Sequence, residues 1–433
     1  MKRILLPVVF SMFVSVGFSQ SLKKATKYFD SKDFANAKTE VEAYLEKNPK
    51  DGEAIYLKSK IYEGIADSAA LHSLVNGDAR AEAFQAFQQA LADSSNMKVK
   101  LAVMKDNYKP VFDMYTGYYQ AAVDDFNKAA STGDKSFFKN AMDNFINADN
   151  VGQYISKNEW AKIGKVDTTL VLNIGKAAIN AKDDATAIEY FKKLADNKIA
   201  GPVGANDEGF KLPYEWLEQH YKESKDEANM LKYAKLGAEV YPKEPFFYLV
   251  LMDYYRENND KMKLFGVYQN LVDAHPDSLK YRFSYANEIF GYIYNTSDEA
   301  AVVSDRAKWK ATMVDQLDKS LAIDPNDVNS NWLYSQVFYN QGIDTRDSAL
   351  KVKDATAKLN LNNEAKDDWN KAIPYATKAL DMLDANGKKS DKSRYKSIVN
   401  LMQNIYQSLG DNVNLKKYQD MYDAADKKFD SRA

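Results

Sequence analysis

The chain has no cysteine in its 433 residues, which excludes disulfides, thiolate metal sites, cysteine nucleophiles and lipid attachment at a cysteine. It has three histidines, His72, His220 and His275, and no two of them stand at the spacing of a metal-binding pair. HExxH, GxSxG and P-loop patterns are missing as well, so nothing positive points to an enzyme, and no cofactor or metal is expected. An excess of one charge is also missing. The 59 basic and 61 acidic residues leave a net charge of −2, without a global field to draw in nucleic acid or an anionic membrane. Glycine (18) and proline (10) are few, so helices meet few breaks.

Long apolar runs are missing except at the start. Lys2 and Arg3 precede an apolar run from Ile4 to Val16, interrupted by Pro7, Ser11 and Ser15, and small residues Gly17 and Ser19 stand just before Gln20. This stretch is too short to span a bilayer and reads as a secretory signal peptide over residues 1–19, with a mature chain starting at Gln20. An exported chain without disulfides or a lipidated cysteine suits a bacterial periplasm, with no membrane insertion of the mature protein.

What the chain does have is a period. Leu217 and Tyr221 recur 34 residues later as Leu251 and Tyr255, and Pro242 recurs as Pro276. Tyr248, Leu251, Met252 and Tyr255, then Leu264, Tyr268 and Leu271, fall at helical spacings that line one face and must be buried against a neighbour. Pro276, lacking an N–H, forces the reversal that follows. These motifs resemble the tetratricopeptide repeat (TPR) family. The resemblance implies an all-α fold, a helix-turn-helix solenoid wound as a right-handed superhelix, with insertions between helices. Met252 and Glu218 depart from the family's small-residue position.

An N-terminal array is expected over residues 20–200, with Tyr28, Ala37, Val41, Tyr44 and Pro49 in its first unit. Ala83, Phe87 and Ala90 come late for the period, so Ala66 to Arg80 is an insertion. Pro110 starts or kinks the helix of Tyr115 and Tyr118, and Gly175 holds a close approach opposite Ala187, Phe191 and Leu194. Residues 201–213, rich in Gly and Pro, read as a loop or hinge. A C-terminal array then covers residues 214–433, with insertions near 295–306 and 343–368. Pro374 fits the first turn of a helix carrying Ala372, Ala376 and Ala379, and a polar pair from Tyr395 to Phe429 caps the end. Asp67-Ser68-Ala69, Asp277-Ser278-Leu279 and Asp347-Ser348-Ala349 resemble an O-glycosylation acceptor motif of the Bacteroidetes phylum; Asp-Ser turns account for them equally.

The resemblance also implies where a partner binds, because TPR arrays hold peptides or protein segments in a groove lined by first helices. Carried onto this chain, the groove positions are Phe246, Leu249, Asp253 and Arg256, then Lys280, Phe283, Asn287 and Phe290, then Asn329, Trp332, Gln336 and Tyr339. Aromatic, amide and cationic side chains of this kind suit a protein-binding surface. The reading is an exported scaffold for a protein partner in cell-envelope assembly or maintenance. Its rivals are a periplasmic binding module for a glycan or small ligand and an enzyme built on the insertions.

Overall fold

The structure is a computed structural model that describes residues 14–93, 95–161, 167–201, 208–294 and 299–432. Most of the expected signal peptide and the centre of the expected hinge, residues 202–207, lie outside these residues. The described residues are all-α, without a strand, and form two compact units divided between Val240 and Tyr241. The first unit holds α1 (Val14–Asp30), α2 (Phe34–Lys47), α3 (Gly52–Ala66), α4 (Ala79–Ala92), α5 (Met97–Lys105), α6 (Lys109–Thr132), α7 (Ser136–Lys157), α8 (Thr168–Ala181), α9 (Asp184–Ala195), α10 (Leu212–Glu223) and α11 (Glu227–Val240). The second holds α12 (Pro245–Glu257), α13 (Lys261–Ala274), α14 (Leu279–Tyr294), α15 (Glu299–Ile323), α16 (Val328–Lys351), α17 (Ala355–Asn386), α18 (Lys392–Leu409) and α19 (Asn412–Asp430). Within each unit helices pack mainly on their neighbours in sequence, which is the TPR-type helix-turn-helix plan.

One turn recurs and explains the hairpins. Lys32, Lys182, Lys225, Asn259 and Gly410 adopt left-handed backbone, with φ of 61°, 61°, 59°, 52° and 75°. The aspartate that follows each of them donates its N–H back five residues, to the carbonyls of Tyr28, Ala178, Tyr221, Tyr255 and Tyr406, and so closes the first helix. The carboxylate of the same aspartate accepts the N–H three residues on, from Asn36, Thr186, Asn229, Lys263 and Asn414, and so opens the second. Hydrogen bonds from the side chains of Asn229 and Lys263, with those from the backbone, hold the carboxyls of Asp226 and Asp260 below the usual range, and the backbone bonds, helped by the Thr186 and Asn414 side chains, do the same for Asp183 and Asp411.

Two glycines mark where helices touch. A Cβ on Gly175 in α8 would strike the Phe191 ring of α9, as the spacing predicts. A Cβ on Gly342 in α16 would strike the Trp369 indole and come within 2.9 Å of the Ala365 carbonyl oxygen in α17.

The insertion between α3 and α4 is a loop with a 3-10 turn at Ala69–Leu74, and Pro110 opens α6 from its first turn. The described parts of the two later insertions, residues 299–306 and 343–368, are mainly helical instead. They lengthen α15 to 25 residues, α16 to 24 and α17 to 32, against 13 for α12, and only residues 352–354 separate α16 from α17. Asp354 starts α17 by accepting the Ala357 N–H at 2.8 Å, far ahead of the motif at Ala372. Pro374 therefore lies deep inside α17, not in its first turn, because the polar segment before it is good helix-forming sequence. Ser348 lies inside α16 and donates its hydroxyl to the Asp344 carbonyl at 2.8 Å, so a turn does not account for that Asp-Ser pair.

Pro374 is exposed and removes one hydrogen bond from the α17 ladder. Pro374→Ala should stabilise the second unit by about 1–3 kcal/mol, the upper end being the full helix-propensity difference. Chemical denaturation checks this, and an unchanged midpoint would show that α17 is already relaxed around the proline.

Candidate functional site

The residues assigned to a groove lie on α12, α14 and α16, all in the second unit, and none is fully buried. In α12 the core side is Phe247, Tyr248, Leu251, Met252 and Tyr255. Phe246, Leu249, Asp253 and Arg256, three or four residues apart, make the other side, and Leu249 is 49% exposed. The Phe246 ring meets Phe247 edge-on at 5.2 Å.

Arg256 is the polar centre of this face. Its guanidinium donates to Asp253 at 3.1 Å, to the Tyr268 hydroxyl of α13 at 3.2 Å and to Glu288 of α14 at 3.4 Å. Lys261 donates to the other Glu288 oxygen at 3.0 Å. Glu288 and Lys261 were not among the expected groove residues. The signal for them was that Arg256 and Glu288, opposite in sign, stand 32 residues apart, close to one period.

In α14, Lys280 and Asn287 are exposed, while Phe283 and Phe290 are half-buried, with Phe290 at 4.9 Å from Tyr294. In α16, Asn329, Trp332, Gln336 and Tyr339 are half-buried. Trp332 and Tyr339 lean on the hydrophobic cluster that α17, α18 and α19 build around Trp369, Tyr395 and Phe429. The Trp332 Nε1 is buried without a hydrogen-bond partner among the described residues, and the Tyr339 carbonyl accepts the Trp369 Nε1–H at 3.3 Å. Leu249, Asp253, Lys280 and Asn287 thus stand open to solvent, whereas the α16 aromatics also serve packing.

The later insertions meet one another. Arg306 and Lys310 of α15 both donate to Asp344 of α16, at 2.9 and 3.0 Å. Both cations lie over the Tyr294 ring, at 5.4 and 5.7 Å. Burial pushes the Tyr294 hydroxyl's pKa up, so it stays protonated. This is an ion-pair junction between extended helices.

Two of the histidines pack on aromatic rings and the third, His72, is exposed. His220 stacks on Trp216 at 5.0 Å, His275 meets Tyr281 at 5.4 Å, and the His72 Nε2 lies 3.0 Å from the Ala66 carbonyl. Among the described residues no group of three or more His, Asp or Glu side chains is placed to hold a metal ion. No described helix is long and apolar enough to cross a membrane.

No protein-family model matches the chain, and no curated protein matches it. Among solved structures it is similar to the TPR domain of P58(IPK), at 12% identity over 82% of this chain and 99% of that one, with a TM-score of 0.23. It is also similar to a monomeric IFIT1 mutant with Gppp-AAAA, at 11% identity over 94% and 78% of the two chains, with a TM-score of 0.30. A circular tandem repeat protein with a novel repeat topology is similar at 10% identity over 96% of each chain, with a TM-score of 0.19.

Proposed function

We propose that this chain is an exported scaffold that holds a protein partner on the α12, α14 and α16 face of its second unit, in assembly or maintenance of the cell envelope. The observation that carries this reading is the run of unburied aromatic, amide and charged side chains on three successive first helices, centred on Arg256. Such a face combines anchors that exclude water with polar groups that set register. Export rests on the basic and apolar N-terminus with its small-residue exit before Gln20.

Recovery of the protein from a periplasmic fraction, with an intact mass starting at Gln20, tests the export half. Partner capture from the same fraction tests the rest. Leu249→Ala should shift stability by no more than about 0.5 kcal/mol and Phe290→Ala by about 1 kcal/mol. Each should weaken capture by up to about 2 kcal/mol, roughly 30-fold. Leu251→Ala, in the core, should instead destabilise by about 2–5 kcal/mol. Full capture by both surface variants would move the binding surface elsewhere.

A further inference from the structure

The first unit contains a cavity of about 390 Å³ that the TPR-type plan does not call for. Its apolar wall is Phe29 at the end of α1, Phe34 at the start of α2, Gly64 and Pro110. The two rings meet edge-on at 6.1 Å, and Phe34 lies against the backbone of Gly64, where a Cβ would collide with it. The polar wall holds four carboxylates, Glu63, Asp67, Asp106 and Asp113, against two ammonium groups, Lys60 and Lys109.

Most of these charges already have partners. Lys60 donates to Asp106 at 3.1 Å, and Lys109 is paired with Asp113. Arg80, reaching in from α4, donates its Nε–H to Glu63 Oε1 at 2.9 Å and an Nη2–H to Asp67 at 2.6 Å. Glu63 is only 5% exposed, and its Oε2 has no hydrogen-bond partner among the described residues. With Glu63 ionised, the wall and Arg80 together carry one uncompensated negative charge beside two aromatic rings. A buried carboxylate oxygen left in this state costs free energy until a donor reaches it.

We propose that this cavity binds a primary alkylammonium group, the ammonium on Glu63 Oε2 and its methylene stem on Phe29 and Phe34. The free acceptor is a single oxygen, because Arg80 holds the other one. That suits the compact ammonium better than a guanidinium fork, which needs two coplanar oxygens. A lysine side chain of a protein segment and a free aliphatic amine share this chemistry.

Affinity should depend on pH, since the acceptor must be ionised. Burial pushes the Glu63 carboxyl up to about 7, against the pull of Arg80, with Asp67 and Asp113 adding to the rise. Lys60, Asp106 and Lys109 face it across the cavity, and His72 in the insertion loop lines a neighbouring recess beside Arg80.

Ligand-observed NMR titration of the full chain tests the proposal with n-butylammonium, n-butylguanidinium, 1-pentanol and a capped Gly-Lys-Gly tripeptide. We expect n-butylammonium to bind at about pH 8 and about thirtyfold more weakly at about pH 5.5, with the guanidinium and the alcohol weaker throughout. Glu63→Gln keeps an acceptor for Arg80 and should abolish both the binding and its pH dependence. Phe29→Ala should weaken binding about threefold without changing the pH profile, and Glu53→Gln, outside the cavity, should change nothing. Tighter binding of the tripeptide than of butylammonium assigns the site to a protein segment, and binding of butylammonium alone assigns it to free amines. Absence of butylammonium binding, equal binding of the guanidinium, or pH-dependent binding that survives Glu63→Gln would overturn the proposal.

Discussion

Phe191→Ala should destabilise the first unit by about 3–5 kcal/mol, as expected for a large aromatic removed from a fully buried site. The ring lies against the backbone of Gly175 on one side and meets Trp216 of α10 edge-on at 5.6 Å on another, so one side chain joins α8, α9 and α10. Glycine offers no side chain that could move into the space, and the α8 backbone cannot close it without shifting a whole helix. Relaxation is therefore small and the cavity term large. Chemical denaturation followed by far-ultraviolet circular dichroism measures the loss. A cost below about 1 kcal/mol would mean that α8 and α9 do not close on this ring.

The second large effect belongs to Arg80. Its side chain is buried between Glu63 and Asp67, lies against Gly117 of α6 and stands 5.4 Å from the Tyr118 ring, so it pins the loop between α3 and α4 to two helices. Arg80→Met keeps most of the volume and removes the charge. Breaking a buried pair in this way costs about 3–5 kcal/mol, because the remaining partner is left unpaired. That partner can take up a proton, which makes the cost depend on pH. In the folded protein the Glu63 carboxyl is raised from 4.5 to about 7, so the folded state binds the proton more tightly than the unfolded chain. Acidification from above 7 towards 4.5 therefore favours the fold, and the Glu63 penalty is fully present only above 7. Without Arg80 the carboxyl rises further and this relief grows. Arg80→Met should be most costly at about pH 8 and markedly less so at about pH 5.5, and Glu63→Gln in the same background should remove that difference. An equal cost at both pH values would show that Glu63 is not the group left unpaired.

The hairpins were legible in the sequence because their signals are local. The 34-residue recurrence of Leu217 and Tyr221 marks which helix faces are buried, and Gly175 marks a close approach that the structure shows. The left-handed residue and capping aspartate of each recurring turn are also written locally, although four of the five left-handed positions hold Lys or Asn in place of glycine. The insertions were less legible. Polar residues at 343–368 marked an insertion without showing its form, and long amphipathic helices tolerate such residues when one side, here Gly342, Ala365 and Trp369, packs on a neighbour. Of the proposed groove, the exposed α12 and α14 positions follow from counting along a helix. The packing of Trp332 on α17 to α19 does not, because it depends on where a helix far downstream comes to rest. The Glu63 cavity was out of reach for the same reason, since its wall is drawn from α1, α2, α3 and α6.

The neighbour-to-neighbour packing of each unit also bears on how the chain acquires its structure. Contacts between consecutive helices close short loops, whose entropy is small, so a hairpin can form as soon as both of its helices are available. The capping aspartate at each recurring turn completes its hydrogen bonds within three residues ahead and five behind, independently of anything further along. Each unit can thus assemble vectorially, hairpin by hairpin in order of emergence from a ribosome, each new pair within it docking on an already folded predecessor.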